Sequence, residues 1–505
     1  MNIPGWVLTT LEILTGLFIL VLGVGFLVLV ALFFIDKFQT ESTVKRNYPV
    51  IGRFRFLFEH LGEFFRQYFF AMDREEMPFN RAQRSWAYRA AKDVNNTAAF
   101  GSTKDLRPEG TVIFANCPFP PLESEKPEAT PILFGPDCQH SYRTTAFFNI
   151  SGMSYGALSK PAVQALSFGA AKAGIWLNTG EGGLAPAHLQ GGCDIVYQIG
   201  TAKYGVRNEE GELCDERLAE VAAHEQVKMF ELKLAQGAKP GKGGILPAAK
   251  VTPEIAKIRG IPEGKASVSP NRHRDISSCE ELLDVVNRIR RVTGKPVGIK
   301  VVLSSASWLD ELAQEIHSRG IEAAPAFITG DSGDGGTGAA PQPLMDEMGL
   351  PLREALPMLV DKLNEYSLTR RVRVIASGKR VTPAEVAWAL CAGADVVTSA
   401  RGFMFALGCI QALQCNKNTC PTGITTHDKT LQRGLVPKDK SRRVANYAKN
   451  MVKEVTIIAH SCGVSEPRRL ARKHARVVSD NGLSIPLNEL HPDVSPRVTF
   501  PGRAA

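Results

Sequence analysis

A disulfide framework, a cleavable leader and a dinucleotide fingerprint are all missing from this chain, and each absence narrows its class. Ten cysteines in 505 residues are too sparse to staple a small secreted scaffold. No Gly-x-Gly-x-x-Gly follows the first apolar strand, which leaves a Rossmann domain without support. A signal peptide would begin with Lys or Arg and end at a small-residue cleavage site, whereas Glu12 is the only charged residue before the N-terminal apolar run. The net charge is +9, but the basic residues are dispersed and several simply follow that run, which argues against a nucleic-acid partner. At 44% hydrophobic and 22% charged residues, the composition is that of a globular protein with a large core.

What is present starts with the apolar run. From Ile13 to Ile35 there is no charged residue, a stretch long enough to cross a bilayer with some tilt. Lys37, Lys45, Arg46, Arg53 and Arg55 follow it, and the positive-inside rule puts that side in the cytoplasm. The expectation is a single-pass protein of the inner (plasma) membrane with its main domain cytoplasmic. A buried helix fits this length and position poorly.

The rest divides into 37–143, a juxtamembrane and linker region wrapping the main domain, then 144–436, then a charged helical tail over 437–505. From Asn47 to about Asp93 the chain is rich in aromatics and arginine. That texture suits an amphipathic stretch against lipid headgroups and, equally, packing against the main domain. Pro118, Pro120, Pro121, Pro127 and Pro131 mark a linker or irregular wrap.

From about Thr144 short apolar runs alternate with helix-like segments. The expected strands are Ala146–Ile150, Trp176–Asn178, Val297–Val302, Ala326–Ile328, Val372–Ala376 and Val396–Thr398. Lys160–Ala173, Cys279–Thr293, Ala306–Arg319 and Pro383–Ala392 read as helices. Apolar strands alternating with amphipathic helices imply a parallel sheet. Some 300 residues of it favour an α/β fold of the (β/α)8 TIM-barrel type. An N-terminal transmembrane helix and a helical C-terminal tail complete the expected architecture.

Four motifs carry chemistry. Two late strands end in Ser377-Gly378 and Ser-Ala-Arg401-Gly402, small residues that suit phosphate binding after strands 7 and 8 of a barrel or, more plainly, ordinary turns. The glycine-rich Gly330–Pro341 segment, with Gly335 and Gly336, is either a close backbone approach to a ligand or a flexible loop. Lys300 within an apolar strand needs an anionic partner; the negative N1–C2=O edge of a reduced flavin and a neighbouring carboxylate serve equally. Cys409, Cys415 and Cys420 stand in a C-x5-C-x4-C run closed by proline. Zinc ribbons use paired, closer cysteines; three thiolates fit an iron–sulfur site better, with three structural cysteines as the plain alternative.

Together these motifs resemble the synthase domain of glutamate synthases, in order from about Phe148 to His427. Ser151-Gly-Met-Ser-Tyr-Gly-Ala-Leu-Ser, Asn178-Thr-Gly-Glu-Gly-Gly, Gln198-Ile-Gly-Thr-Ala-Lys and Gln236-Gly-Ala-Lys-Pro-Gly-Lys-Gly-Gly are similar to its flavin-side and substrate-side segments. The resemblance implies a barrel holding FMN and one [3Fe-4S] cluster, with Met153, Ser154 and Gln198 beside the flavin and Lys300 on its N1 side. It implies reductive amination of 2-oxoglutarate by ammonia to give L-glutamate. Lys239 and Arg259 would hold the substrate carboxylates and Glu181 would handle protons. The three cysteines would pass single electrons to FMN.

Ile245 departs from that pattern, standing where the family has a substrate-contacting glutamine. This leaves open an N-methylglutamate synthase-type enzyme using methylamine, or another amine. Another FMN-dependent barrel oxidoreductase, such as a 2-hydroxyacid oxidase, would not need the cysteine run. Intact glycine loops speak against a non-enzymatic membrane scaffold. No glutaminase domain and no NAD fingerprint are evident, so ammonia and electrons are expected from solution, from a separate electron donor or from a separate glutaminase subunit.

Overall fold

Gly5 to Phe38 forms one continuous helix, α1, because an apolar run free of proline satisfies every backbone group internally. The computed structural model describes residues 4–122 and 129–498; Pro127 of the linker prolines lies outside them. The chain divides into two compact units, Met1–Ala82 and Gln83–Ala505. In the first, α1 is long and apolar enough to cross a membrane, and none of its apolar window is buried in the protein. The short α2 (Thr43–Asn47), capped by Ser42, leads into α3 (Ile51–Phe65) and a π-helical turn, Arg66–Phe70.

The second unit opens with α4 (Arg81–Lys92, its first two residues shared with the first unit) and β1 (Val112–Phe114). The hairpin β2 (Ile132–Phe134) and β3 (Tyr142–Thr144) precedes the barrel. The barrel then runs through β4 (Phe148–Ile150), β5 (Leu177–Asn178), β6 (Ile195–Ile199) and β7 (Val227–Lys233). An antiparallel excursion, β8 (Ile245–Leu246) with β9 (Ser267–Val268), interrupts it. It continues as β10 (Val297–Val302), β11 (Phe327–Asp331), β12 (Arg373–Ala376) and β13 (Val396–Ser399). β13 pairs in parallel with β4, closing eight strands into a barrel.

The expected strands and helices are present to within two or three residues at their ends. Two barrel strands, β6 and β7, were not among those expected. Their sequences, Ile-Val-Tyr-Gln-Ile and Val-Lys-Met-Phe-Glu-Leu-Lys, carry polar residues that blur an apolar run, yet both are nearly wholly buried. Helix ends follow local chemistry. Cys279–Thr293 is capped by Ser278, carries Glu280 and Glu281 in its first turn and Arg290 and Arg291 in its last, and stops at left-handed Gly294.

The hairpin closes the N-terminal end of the barrel. Phe134 meets Trp176 and Phe327 edge-on at centroid distances of 5.9 and 5.7 Å, within a cluster that includes Tyr142, Val196, Met229 and Val396. The proline-rich linker is thus partly a plug. The tail is only partly helical: Pro437–Ser461 packs against Lys160–Ala173, but β14 (Ala475–Val478) and β15 (Ser484–Pro486) follow it and join β1 in a three-stranded sheet. β1 supplies a distant edge that the tail's own sequence does not announce.

Candidate active site

At the C-terminal ends of the strands, loops from several parts of the chain line one cavity. Met153 and Ser154 enter after β4, Glu181 after β5, Lys239 from the loop after β7, Ile245 from β8, and Arg259 from the helix Pro253–Arg259. Cys415 lines the same cavity. A neighbouring cavity shares Gly152, Ser154, Gln236, Gly336 and Arg401 with it, and adds Gln198, Lys300, Ser377 and Gly378. Of the expected site residues, Gly335, Gly402, Cys409 and Cys420 line neither. Gly335 backs the first wall, its amide donating to Ser332 O at 2.9 Å, and Gly402 packs under Tyr447.

Charge is arranged unequally. Around the second cavity stand Lys233, Lys300, Lys379, Arg380 and Arg401, against Asp331. Lys300 meets Asp331 at 3.2 Å, so the carboxylate partner and the cavity position hold together. Coulombic attraction to Asp331, Glu231 and Glu181 outweighs the desolvation of Lys300, the largest single influence, and keeps it protonated. Gly378 sits at φ +95°, where a Cβ would lie 2.5 Å from Ser332 Cβ, and a Cβ on Gly152 would reach Gln198 Nε2 at 2.8 Å. Glycines there hold open a shallow cationic cradle suited to a phosphate and a planar anionic ring.

Beneath it, the buried Glu231 accepts from Gln198 (2.6 Å), Asn178 (2.8 Å) and Thr329 (2.7 Å). This fixes the Gln198 amide, with its Nε2 on Glu231, at the cavity wall.

In the first cavity Lys233 pairs with Glu181 at 2.9 Å. Burial pushes the Glu181 carboxyl up, but Lys233, Lys239 and Arg259 outweigh it and hold its pKa below the ordinary value. Burial lowers Lys239 against the pull of Glu181. Arg259 is buried, lies 5.0 Å over the Tyr204 ring and donates to Tyr155 O at 3.0 Å. Its Nε has no partner among the described residues, so it retains capacity for an anion. Lys233, Glu231, Asp331 and Lys250 were not among the expected site residues. Each is a charged residue in or just after an apolar stretch, the same signal that singled out Lys300.

The cysteine loop lies on the same side. Cys409, Cys415 and Cys420 are free, and Cys409 feels the charge of the other two. Gln411, Leu413 and Asn418 take left-handed backbone angles of 58°, 54° and 60°, strain of the kind concentrated at functional loops. The loop is tied from outside: Tyr88 Oη donates to Cys409 O (2.6 Å), and Lys250 Nζ donates to Cys415 O (2.8 Å) and Ala157 O (3.2 Å). Burial brings Lys250 down to about 8, with Cys415 and Cys420 opposing.

Among the described residues no three His, Cys, Asp or Glu side chains converge on a single ion. Cys409, Cys415 and Cys420 are thiols on one loop, the donor type that iron–sulfur clusters and zinc sites both take.

A family profile described as a conserved region in glutamate synthase matches residues 120–465. The chain is 38% identical over 494 residues to the glutamate synthase large subunit-like protein YerD of Bacillus subtilis, covering 90% of this chain and 93% of that one. It is 34% identical over 330 residues to the archaeal glutamate synthase (NADPH) of Methanocaldococcus jannaschii, 65% of this chain and 61% of that one. Among solved structures, the flavin-binding domain of baker's yeast flavocytochrome b2 aligns at 12% identity with a TM-score of 0.43, over 84% of this chain and 86% of that one.

Proposed function

The chain belongs to the glutamate synthase family, and from that membership we propose that it is an FMN-dependent oxidoreductase that reductively aminates 2-oxoglutarate to L-glutamate. The observation that carries the reading is the shared cavity in which Met153, Glu181, Lys239, Arg259 and Cys415 meet. Lys239 and Arg259 bind the two carboxylates of the 2-oxo acid, the guanidinium through its unpartnered Nε. The ionised Glu181 accepts a proton from the amine as it adds to the carbonyl and returns it to the departing oxygen, so that water leaves as the imine forms. Ser377, Gly378 and Arg401 would hold the FMN phosphate, Lys300 and Gln198 its ring, and Cys409, Cys415 and Cys420 a [3Fe-4S] cluster. When bound, FMN supplies hydride to the imine carbon and the cluster supplies single electrons. With α1 read as a span, the basic residues after it support a cytoplasmic catalytic domain at the inner membrane, with a separate electron donor and a glutaminase subunit as the proposed partners.

Ile245 favours a second reading. It lines the cavity, and its side chain offers the substrate no hydrogen bond, so methylamine giving N-methylglutamate is a competing reaction. Reduced enzyme mixed with 2-oxoglutarate and a panel of amines separates the two. Flavin reoxidation with ammonium supports glutamate formation. Reoxidation with methylamine alone moves the assignment to the second reading, and none with any amine rejects both.

A further inference from the structure

We propose that α3 and its π-helical extension lie flat in the headgroup region of a lipid leaflet, aromatic face inward, as a membrane contact distinct from α1. The inference rests on the reading of α1 as a span. At helical spacing Ile51, Phe54, Phe58, Phe65 and Phe69 form one stripe, bordered by Tyr68 on one side and Arg55 on the other, while Glu59 and Glu63 face away. The stripe is open: Phe58 is 66% exposed and Phe69 67%. Its rings lie tilted against one another in series, Phe54 to Phe58 at 6.5 Å and Phe65 to Phe69 at 5.4 Å. Among the described residues of its own unit no element packs over it, because α3 packs on α2 and not along α1.

The corner that aims α3 is built. Asp36, at the end of α1, is fully buried; it accepts from Arg53 Nη2 at 2.7 Å and Nε at 2.8 Å and from the Val50 amide at 3.0 Å. Val50 is held at φ +64°, a conformation a β-branched residue avoids. Gly52 lets α3 close on α2, since a Cβ there would stand 2.9 Å from Val44 O. A strained turn between α2 and α3, locked by charge to the end of α1, fixes where α3 points. The occupant follows from continuity and charge. The stripe begins across the short α2 from the end of α1, and Lys37, Lys45, Arg46, Arg53, Arg55 and Arg66 outnumber Asp36, Glu41, Glu59 and Glu63, as an anionic leaflet favours.

The test uses the full chain in nanodiscs containing phosphatidylglycerol, with a benzophenone amino acid (p-benzoylphenylalanine) replacing Phe58 or Phe65 on the stripe, Glu59 or Glu63 opposite it, or Leu20 within α1. After irradiation, peptide mass spectrometry reads the adducts. The proposal expects lipid adducts from positions 58 and 65 several-fold above those from 59 and 63. Lipid at 20 without lipid at 58 and 65 overturns the proposal and leaves the span standing. Loss of lipid at all three removes both. Cross-links from 58 and 65 to the chain's own barrel, or to a second copy, overturn it in favour of protein packing.

Discussion

Lys233 reaches Glu181 at 2.9 Å, with only 10% and 14% of the two side chains exposed. The lysine is the largest of the influences that oppose burial and keep this carboxylate charged. Its folded pKa lies below the ordinary value, so Glu181 is ionised through neutral pH and is protonated only as pH falls through that depressed value. In Lys233→Met, burial acts against fewer cations and the pKa rises. The acid limb of the kcat/KM profile is expected to move to higher pH. Glu181→Gln should lower kcat by about 10²- to 10⁴-fold, as for loss of a general base. An unmoved acid limb in Lys233→Met would show that another group governs it.

Lys250 ties two loops through the carbonyls of Cys415 and Ala157. Lys250→Met leaves both acceptors unsatisfied, a cost of about 1–3 kcal/mol. The variant should melt earlier and bind less iron per chain. Cys415→Ser should lose iron and the broad visible absorbance while keeping the circular dichroism of the fold. Iron and sulfide assays alongside melting curves separate the two effects. Full iron content in Cys415→Ser would remove this cysteine from the ligand set.

Gly378 combines φ +95° with a Cβ position 2.5 Å from Ser332 Cβ and 2.9 Å from Ser332 N. Gly378→Ala must distort the backbone or push β11's end outward, at a cost of about 1–3 kcal/mol. Because this turn lines the second cavity, flavin retained through gel filtration should fall. Equal flavin content in variant and parent would place the cofactor elsewhere.

Phe134 is wholly buried at the plugged end of the barrel, far from the candidate chemistry. Phe134→Ala should destabilise the fold by about 3–5 kcal/mol, in line with other large-to-small core changes. Turnover per folded molecule should be unchanged. Denaturation followed by near-ultraviolet circular dichroism measures the first, and an activity titration the second.

How much could be read in advance follows from how local each signal is. Lys300 was legible because a lysine in Val-Gly-Ile-Lys-Val-Val contradicts its surroundings, and Gly378 because a strand ending in Ser-Gly announces a turn. Lys233 and Glu231 carry the same contradiction, but they sit on a strand whose mixed residues hide its period. Lys250 follows Pro-Ala-Ala in a short 3-10 turn, and nothing nearby says that its ammonium lies under a cysteine loop more than 160 positions later.

The sequence alone determined the apolar α1, the alternation that makes a barrel, and the three-cysteine run with its glycine loops. Each is a matter of period, composition or backbone conformation within a few residues. Only the tertiary structure decided that Glu181 pairs with Lys233, that Cys415 shares a cavity with Lys239 and Arg259, and that the β2–β3 hairpin fills the barrel floor. Those contacts join segments separated by tens to hundreds of residues. They exist because closing eight parallel strands brings all their C-terminal loops to one mouth and all their N-terminal ends to the other.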